Sequence, residues 1–402
     1  MPKRPNILIL MTDQQRADCL SCAGHRQVRT PNMDRIAAEG MRFTHACTNS
    51  PLCMPARASF ISGLRVHTHG MWENRGELAP DEESLFRRLQ QCGYYTGHIG
   101  KSHYYSHGPF HMKEREPYMH ARGFDYVHET TGPWATSRTD SYMTDAWRKK
   151  GLLKAFRDDY ARRREVSADV PVWPSPLPTE DFPDSYVGGQ AVRFIEGYDG
   201  ERPFALFVGF GGPHEPWDAP GEYATMYDPA GVPMPPVEPA EPGPWVPEHA
   251  ARWQRSGRIE ALTEDRVRRV RANYYGKISL IDHWCGRIFA ACEQRGLMAE
   301  LLIVFWSDHG EMVGDHGLLY KSRFFESALR VPLMVRWPHK VKPGSICDVP
   351  VIGIDFYPTI LQMTGVPKPK GHILDGESIV PLLKGGNGLK REAIFWHFPA
   401  YL

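Results

Sequence analysis

The sequence has almost no net charge and no long apolar run, and both absences exclude classes of function. Its 48 Lys and Arg residues balance 47 Asp and Glu residues, which leaves a formal charge of +1. Proteins that bind nucleic acid or an anionic membrane surface through electrostatics carry a basic excess, so neither partner is expected. No apolar stretch approaches the roughly 20 residues that a membrane-spanning helix needs. Any preference for an anion must therefore arise locally, within a site.

Neither a disulfide framework nor a cleavable leader is expected. The eight cysteines are scattered, and Cys19-x-x-Cys22 has no second pair that would complete a zinc site, so both are interpreted as structural. The apolar run that begins at Asn6 follows basic residues, but it is short and ends in Asp13 without a small-residue cleavage site. We therefore expect a buried first strand, reduced thiols and a cytoplasmic location.

What is present is the pattern of an α/β protein. The 402 residues are 42% hydrophobic and 24% charged, as in a soluble globular protein with ample material for a core. Apolar strands are predicted at 6–11, 95–99, 203–210, 301–306 and 331–337, and helices at 30–40, 84–92 and 263–296. Because strands and helices alternate, the sequence predicts a mainly parallel sheet covered on both faces.

The stretch around Cys53 carries the strongest chemical signal. In Cys53-x-Pro55-x-Arg57, Pro55 suits the first turn of a helix that ends at Gly63. Cys53 then lies beside free backbone N–H groups and the positive end of the helix dipole, where an anion is favoured. The alternatives are that Cys53 is a small buried hydrophobe and that Arg57 lies on a solvated helix face.

Two predicted strands end in acids, at Asp13 and at Asp308. Parallel strands deliver their carboxyl ends to the same edge of a sheet, which is where open α/β sheets place their ligands. Either acid alone could be a turn or cap residue. Together with Cys53 they make a cation site plausible, in which oxygen ligands suit a hard divalent ion and His309 admits a softer one.

The run Cys53-x-Pro55-x-Arg57, with Ser-Pro before it and Ala-Ser after it, resembles the signature of the sulfatases in the alkaline phosphatase superfamily. In that family the Cys is converted to formylglycine, whose aldehyde hydrate is the nucleophile. The resemblance covers residues 6–396 with its motifs in matching order, and it is weakest over 104–200. It implies an α/β/α sandwich with a large, mainly parallel mixed sheet.

The resemblance also implies roles for further residues. The metal ligands would be Asp13, Gln14, Cys53, Asp308 and His309. The catalytic residues would be Cys53, Arg57, Lys101, His103, His214 and Lys321. Of these, His103 would act as the base, Arg57 and Lys101 would hold the hydrate, and His214 and Lys321 would bind the anion and help to protonate the leaving group. The alternatives without a catalytic role are a solvated strand end for Lys101 and a surface histidine for His103.

Two positions depart from the commonest sulfatase pattern. Gln14 stands where many sulfatases have a second Asp, and His309 stands where many have Asn. One divalent ion is expected, with calcium first and manganese as the alternative. Similar pairs occur in phosphonate monoester and phosphodiester hydrolases and in choline-sulfatase-like enzymes.

The function expected is therefore hydrolysis of a small-molecule or sugar sulfate monoester by formylglycine at residue 53, after maturation by a formylglycine-generating enzyme. One alternative is a phosphonate monoester or phosphodiester hydrolase that uses the same site. Another is a catalytically silent binding protein with unmodified Cys53. Neither nucleic acid nor a membrane is an expected partner, and a homo-oligomer is left open.

The domain organisation is expected to be one catalytic domain over 1–385. Within it, an insertion at 104–200 and a proline-rich loop at 213–250 would shape the substrate mouth. Residues 386–402 would begin a C-terminal subdomain that is incomplete or absent, since such enzymes usually continue beyond this point.

Overall fold

The computed structural model describes residues 4–236, 261–389, 391 and 393–398. The proline-rich loop predicted over 213–250 and the C-terminal segment predicted over 386–402 lie partly outside the described residues. Among the helices that the structure describes, none is long and apolar enough to span a membrane.

The described residues form one large sheet and a small one. The strands are β1 (Ile7–Asp13), β2 (Met41–Phe43), β3 (Ala46–Cys47), β4 (Tyr95–Lys101), β5 (Tyr126–Thr130), β6 (Phe204–Pro213), β7 (Leu302–Ser307), β8 (Leu333–Arg336), β9 (Ser345–Cys347) and β10 (Val351–Ile352). The large sheet, counted over these strands, has eight members in the order β5-β4-β6-β1-β7-β8-β2-β9, and β10 pairs with β3. The mainly parallel mixed sheet predicted from the sequence is confirmed.

The five strands from β5 to β7 are parallel, and this places the functional edge. Leu8 of β1 is in register with Leu206 of β6 on one side and with Ile303 of β7 on the other. Strand β8 pairs antiparallel with both β7 and β2. Because β4, β6, β1 and β7 are adjacent and parallel, their carboxyl ends meet at one edge.

The helices cover both faces of the sheet. They are α1 (Pro31–Ala38), α2 (Cys53–Ser62), α3 (Val66–His69), α4 (Leu85–Gln91), α5 (Glu116–Ala121), α6 (Pro133–Thr136), α7 (Tyr142–Lys149), α8 (Leu153–Glu165), α9 (Pro183–Gly197), α10 (Glu264–Gln294), α11 (Glu326–Leu329), α12 (Phe356–Thr364) and α13 (Val380–Leu383). Short 3-10 turns lie between them at Ser21–Ala23, Met112–Arg115, Ser167–Asp169, Thr179–Asp181, Gly221–Ala224, Pro229–Gly231, Asp315–Gly317 and Gly353–Asp355.

Strand β1 shows why the sheet needs helices on both sides. All seven of its residues are buried. Ile7 and Ile9 belong to a core that includes Phe60 of α2, whereas Leu8 and Leu10 belong to a second core with residues of α1, α9 and α10. Alternate side chains point to opposite faces, so a continuous apolar run fills both cores. Each fully buried aliphatic side chain contributes about 1.5–3 kcal/mol.

The helix ends follow the expected local chemistry. The Thr263 hydroxyl accepts a hydrogen bond from Arg266 N–H and caps α10. Helix α2 begins at Cys53 and ends before Gly63, which has φ of 70° and closes the helix in the left-handed conformation. Both boundaries had been predicted from the sequence.

Residues 104–200, for which an insertion that shapes the substrate mouth is predicted, also contribute to the sheet and its core. Within them, β5 is the edge strand beside β4, and α9 packs against the sheet in the same core as Leu8. Little hydrophobic periodicity marks these two elements in the sequence. Strand β5 is only half-buried at its start, so the alternation of apolar and polar residues is weak there. The remaining part, from α6 to α8, does lie beside the cavity described below.

Candidate active site

The strand edge and the start of α2 bring the predicted residues together. Asp13 ends β1, Lys101 ends β4, and Asp308 follows β7, while Cys53 is the first residue of α2. All four side chains are buried. Every residue of α2 is buried too, so this helix is a fixed part of the core rather than a surface element.

The first turn of α2 has few free backbone donors, since Pro55 has no N–H and Ala56 N–H donates to the Leu52 carbonyl at 3.0 Å. Leu52 at the N-cap has no polar side chain to accept their hydrogen bonds. Met54 N–H donates instead to Oδ1 of Asn74, 2.9 Å away. What favours an anionic group at this helix start is therefore the positive end of the helix dipole.

Four potential ligand atoms converge around Cys53. One atom each from Asp13, Cys53, Asp308 and His309 lies within 4.8 Å of all the others. Sγ of Cys53 lies 3.2 Å from Nε2 of His309 and 3.9 Å from Oδ1 of Asp13. His309 Nε2 lies 3.7 Å from Oδ1 of Asp308. Two carboxylates, an imidazole and a thiol therefore surround one point.

The outer carboxylate oxygens are held by two cations. Arg57 donates from Nε to Oδ2 of Asp308 at 2.8 Å and from Nη2 to Oδ2 of Asp13 at 3.1 Å. Lys101 Nζ also donates to Oδ2 of Asp13. A third donor of Arg57 reaches the carbonyl of Lys101 at 2.8 Å. Arg57 is thus a buried bridge between three strand ends, and the solvated-surface alternative is excluded.

These neighbours shift the pKa values of Asp13 and Asp308 in opposite directions. Burial and the Cys53 thiolate act to raise the pKa of Asp13, but Lys101, His214 and Arg57 outweigh them and hold it well below its usual range. Burial and the negative charge of Asp13 raise the pKa of Asp308. Two carboxylates this close cannot both ionise freely without a compensating cation.

The thiol and the imidazole of the cluster are shifted by the same charges. Burial opposes ionisation of Cys53, but Lys101, Lys321 and His309 lower the pKa of its thiol well below the usual value. Burial would lower the pKa of His309, but Asp308 and the Cys53 thiolate raise it to about 9. Cys53 is therefore in a reactive environment, unlike the buried Cys19, whose thiol pKa is raised by burial.

His103 stands on the other side of Cys53. Burial, followed by the charge of Lys101, lowers the pKa of His103 to about 4, although the neighbouring Cys53 acts to raise it. Its backbone is in the left-handed region with φ of 56°, and its ring stacks on His107 with centroids 4.7 Å apart. His103 is therefore a neutral imidazole at pH 7, able to accept a proton.

A second network lies next to the cluster and contains the remaining predicted residues. Gln14 donates from Nε2 to Glu215 at 2.7 Å and to Glu311, and its Oε1 accepts from Lys321. Lys321 also contacts Nε2 of His214. His214 Nδ1 lies 3.1 Å from Oε2 of Glu215. The side chain of Gln14 is thus bonded within this network, and its predicted role as a metal ligand stays a prediction.

The backbone of Gln14 ties the two networks together. Its N–H donates to Oδ1 of Asp308 at 3.0 Å, and its carbonyl accepts from the Tyr274 hydroxyl at 2.7 Å. Its φ of 71° lies in the left-handed region, which a non-glycine residue adopts at a cost and which the surrounding bonds maintain.

Sequence reasoning missed two acids of this network. Glu215 follows His214 directly, and Glu311 follows the Ser-Asp-His-Gly motif. Burial and the nearby Glu215 raise the pKa of Glu311 to about 7, whereas His214 and Lys321 overcome burial and lower the pKa of Glu215. Their adjacency to motif residues was the available signal.

Two further missed residues hold the loop that presents His214. Lys277, buried within α10, donates to the carbonyls of His214 and Pro216 at 2.7 and 3.0 Å and pairs with Asp218 at 2.9 Å. Asp184 of α9 accepts from the N–H groups of Gly211 and Gly212, each at 2.9 Å. Neither residue stands near a motif, so nothing in the sequence marked them.

A cavity of about 240 Å³ opens above Cys53. Its lining includes Cys53, Lys101, His103 and His214, together with residues of α6 and α8. Trp134 also lines this cavity, whereas Trp217 is buried in a separate apolar core.

Comparison with known proteins shows the family to which the chain belongs. The model of the Sulfatase family matches residues 5–366. An arylsulfatase of Clostridium perfringens is 29% identical over 97% of this chain and 81% of its own length, and a choline-sulfatase of Rhizobium meliloti is 30% identical over 95% and 72%. The crystal structure of a phosphonate monoester hydrolase of Agrobacterium radiobacter matches with a TM-score of 0.77 at 26% identity, covering 98% of this chain and 80% of that one. The chain therefore belongs to the Sulfatase family of sulfuric ester hydrolases.

Proposed function

We propose that this protein hydrolyses a sulfate monoester to an alcohol and inorganic sulfate, with residue 53 acting as formylglycine. One observation carries the proposal above the others. The side chain at position 53 lies at the start of a buried helix, within 4.8 Å of two carboxylates and an imidazole and directly beside a neutral histidine. A nucleophile, a cation site and a base are then in contact.

The donor set fits the divalent ion that the family implies. Arg57 and Lys101 bind the Oδ2 atoms of the two aspartates, so the Oδ1 atoms remain turned toward Cys53 and His309. Two carboxylate oxygens suit calcium, which is the first candidate, while the nitrogen of His309 admits manganese. A divalent ion held by Asp13, Asp308 and His309, with Gln14 as the further proposed ligand, supplies positive charge against the negative charge that develops on the sulfuryl group.

The residues around position 53 divide the work of the first step. As a formylglycine hydrate, residue 53 supplies one hydroxyl, which attacks sulfur and releases its proton to a carboxylate of the cluster, and a second whose deprotonation releases sulfate. Arg57 and Lys101 orient the hydrate oxygens. As the bond from sulfur to the alcohol oxygen breaks, the Lys321–His214 pair binds the anion and supplies the proton that the alcohol takes away.

His103 acts in the second step. Its neutral imidazole accepts the proton of the remaining hydroxyl, the carbon–oxygen double bond forms again, and inorganic sulfate departs. The low pKa of His103 supports this role, because a protonated imidazole could not accept that proton. Water then hydrates the aldehyde for the next turnover.

A phosphonate monoester hydrolase is the second candidate. The similarity to the solved enzyme of that class, together with Gln14 and His309 at positions that depart from the commonest sulfatase pattern, favours it. Sulfate and phosphonate esters share tetrahedral geometry and differ mainly in charge, so the motif residues do not separate them.

The deciding experiment compares kcat/KM for phenyl sulfate and for a phenyl phosphonate monoester on one preparation. The protein is produced with a formylglycine-generating enzyme, and mass spectrometry establishes the conversion of Cys53. Activity should vanish with a chelator and return with calcium or manganese. A preference for sulfate supports the proposal, and a preference for phosphonate replaces it with the second candidate. Full conversion without turnover of either ester overturns both, whereas an intact Cys53 thiol supports a silent binding protein.

A further inference from the structure

The wall of the cavity above Cys53 is cationic. We call wall the part of the lining formed by Trp134 of α6, Arg138 just beyond α6, and Arg164 of α8. The described residues that line this cavity include Lys101 and two arginines but neither aspartate nor glutamate. A ligand in the cavity therefore meets the positive charges of Lys101 and of the two arginines.

The two wall arginines differ from their neighbours in having no acidic partner. Nearby, Arg157 and Arg148 pair with Asp140 at 2.6 and 3.0 Å, and Arg163 pairs with Asp159 at 2.6 Å. Among the described residues, by contrast, Arg138 and Arg164 contact only carbonyl and hydroxyl oxygens. Arg138 donates to the carbonyl of His107 at 3.5 Å.

Arg164 is held in place by hydrogen bonds to neutral groups, and no acidic side chain among the described residues pairs with its charge. It donates from Nη2 to the Trp134 carbonyl at 3.2 Å and to the Ser137 hydroxyl at 2.9 Å. Its guanidinium carbon lies 5.5 Å from the centre of the Trp134 ring. The other donors of this guanidinium fork remain available for a planar anion such as a carboxylate.

The same contact decides which ligands the wall rejects. An aromatic face is the usual seat of a quaternary ammonium group. Here the Trp134 ring already carries the Arg164 cation, and Arg138 lines the same cavity. A second cation, such as the choline part of choline sulfate, would be repelled.

The size of the cavity limits the rest of the substrate. Pockets for drug-sized ligands enclose roughly 300–1,000 Å³. The volume of about 240 Å³ suits an ester whose alcohol part is a single small ring.

We infer that the substrate is a small, doubly anionic ester: the alcohol part of the sulfate ester carries a second anionic group, which Arg138 and Arg164 bind. This inference rests on the proposed function for the identity of the reacting group. The second group is a carboxylate, sulfate or phosphate, since all three offer the oxygen pair that the arginine fork accepts.

The test measures binding, so that it does not depend on turnover. Two non-hydrolysable ligands, 3-sulfobenzoate and benzenesulfonate, share one sulfonate and differ by the carboxylate. Isothermal titration of the metal-loaded protein should give tighter binding of 3-sulfobenzoate by about tenfold. A charge-assisted hydrogen bond supports that factor at a partly exposed site. The preference should shrink with added salt.

Variants assign the preference to the wall. Arg138→Gln and Arg164→Gln should each reduce the ratio of the two dissociation constants, and the double variant should reduce it to about twofold or less. Arg162→Gln is the matched control, because it removes the same charge from the same helix at an exposed residue that does not line the cavity. It should keep the ratio. A wild-type ratio below about threefold, or a full ratio in the double variant, would overturn the inference.

The two proposals fail in different ways. If the enzyme cleaves phosphonate esters rather than sulfate esters, the proposed function is replaced, while the sulfobenzoate ratio still supports or overturns the arginine wall. If the enzyme cleaves phenyl sulfate but shows no sulfobenzoate preference, the function stands and the inference is wrong.

Discussion

The two ends of the parallel strands differ in where their charges lie. At the amino ends, two adjoining cavities of about 520 and 660 Å³ share Tyr198 and Arg202 in their linings. At the carboxyl ends the cavity above Cys53 has less than half of either volume. The smaller cavity nevertheless adjoins buried carboxylates in ion pairs and histidines whose pKa values are shifted by burial and nearby charges.

The charges at the amino ends are solvated. Asp199, Glu201, Arg202 and Arg295 are all exposed, and Arg295 donates to the backbone carbonyls of Glu196 and Tyr198. Exposed charges of this kind cost little and contribute little. Buried charges cost several kcal/mol unless paired, so a cluster of them at one strand edge indicates chemistry, and volume alone does not.

The largest expected effect separates two cysteines at opposite ends of the sheet. Cys53→Ala should lower turnover by at least about 10⁴-fold, since loss of a nucleophile costs on that order. Cys92→Ala, in the lining of an amino-end cavity, should leave kcat/KM unchanged. Steady-state kinetics with phenyl sulfate checks both. Comparable activity of the two variants would end the distinction between the ends.

The next effect separates two histidines. His103→Ala should lower kcat by about 10²–10⁴-fold, the contribution of a general base. Because it acts after the alcohol has left, the variant should release a burst of alcohol and retain sulfate on residue 53, detected as a mass increase of the intact protein. His283→Ala, at an exposed position on α10, serves as the control. Normal turnover of the His103 variant would contradict its role as the base.

A smaller effect concerns the loop that carries His214. Asp184→Ala should destabilise the protein by about 1–3 kcal/mol per buried N–H left without an acceptor, measured by urea unfolding. Asp184→Asn retains an oxygen acceptor and should be closer to wild type.

The pH dependence of the Asp184 contribution can be given a sign. Burial raises its pKa to about 6, above the value of an unfolded chain. Protonation of Asp184 therefore favours the folded state at low pH, and this contribution is lost as the pH rises through about 6. The difference in stability between wild type and Asp184→Asn should change over that range. A difference that is constant from pH 4 to 7 would show that Asp184 does not titrate there.

The smallest effect is expected at the amino ends. Arg202 stacks on the Tyr95 ring at 5.1 Å and lies 3.6 Å from Asp125, both at the surface. Arg202→Ala should change the free energy of unfolding by about 0.5 kcal/mol or less and leave kcat/KM unchanged. A tenfold loss of activity would mean that the larger cavities communicate with the site, and the contrast between the two ends would need revision.

Much of this arrangement could be read from the chain, because local patterns encode it. The apolar run of β1, the Thr263 cap and the Gly63 stop predicted their elements within a few residues. The acids that end β1 and follow β7 could be placed together because parallel strands share an edge. The half-buried strand β5 was missed, since its period-2 signal is weak.

The residues themselves determined the fold class and the set of groups that meet at Cys53. Only the tertiary structure decided which hydrogen bonds and ion pairs connect those groups. Arg57 bridges two aspartates that are 295 residues apart in sequence, and Glu215 and Glu311 acquire opposite pKa shifts from the same buried network. Among the described residues Arg163 has an acidic partner and Arg164 has none, and this difference likewise depends on which acids the fold brings near. Local propensity acts over a few residues, whereas the electrostatic environment of a buried group is set by neighbours from the whole chain.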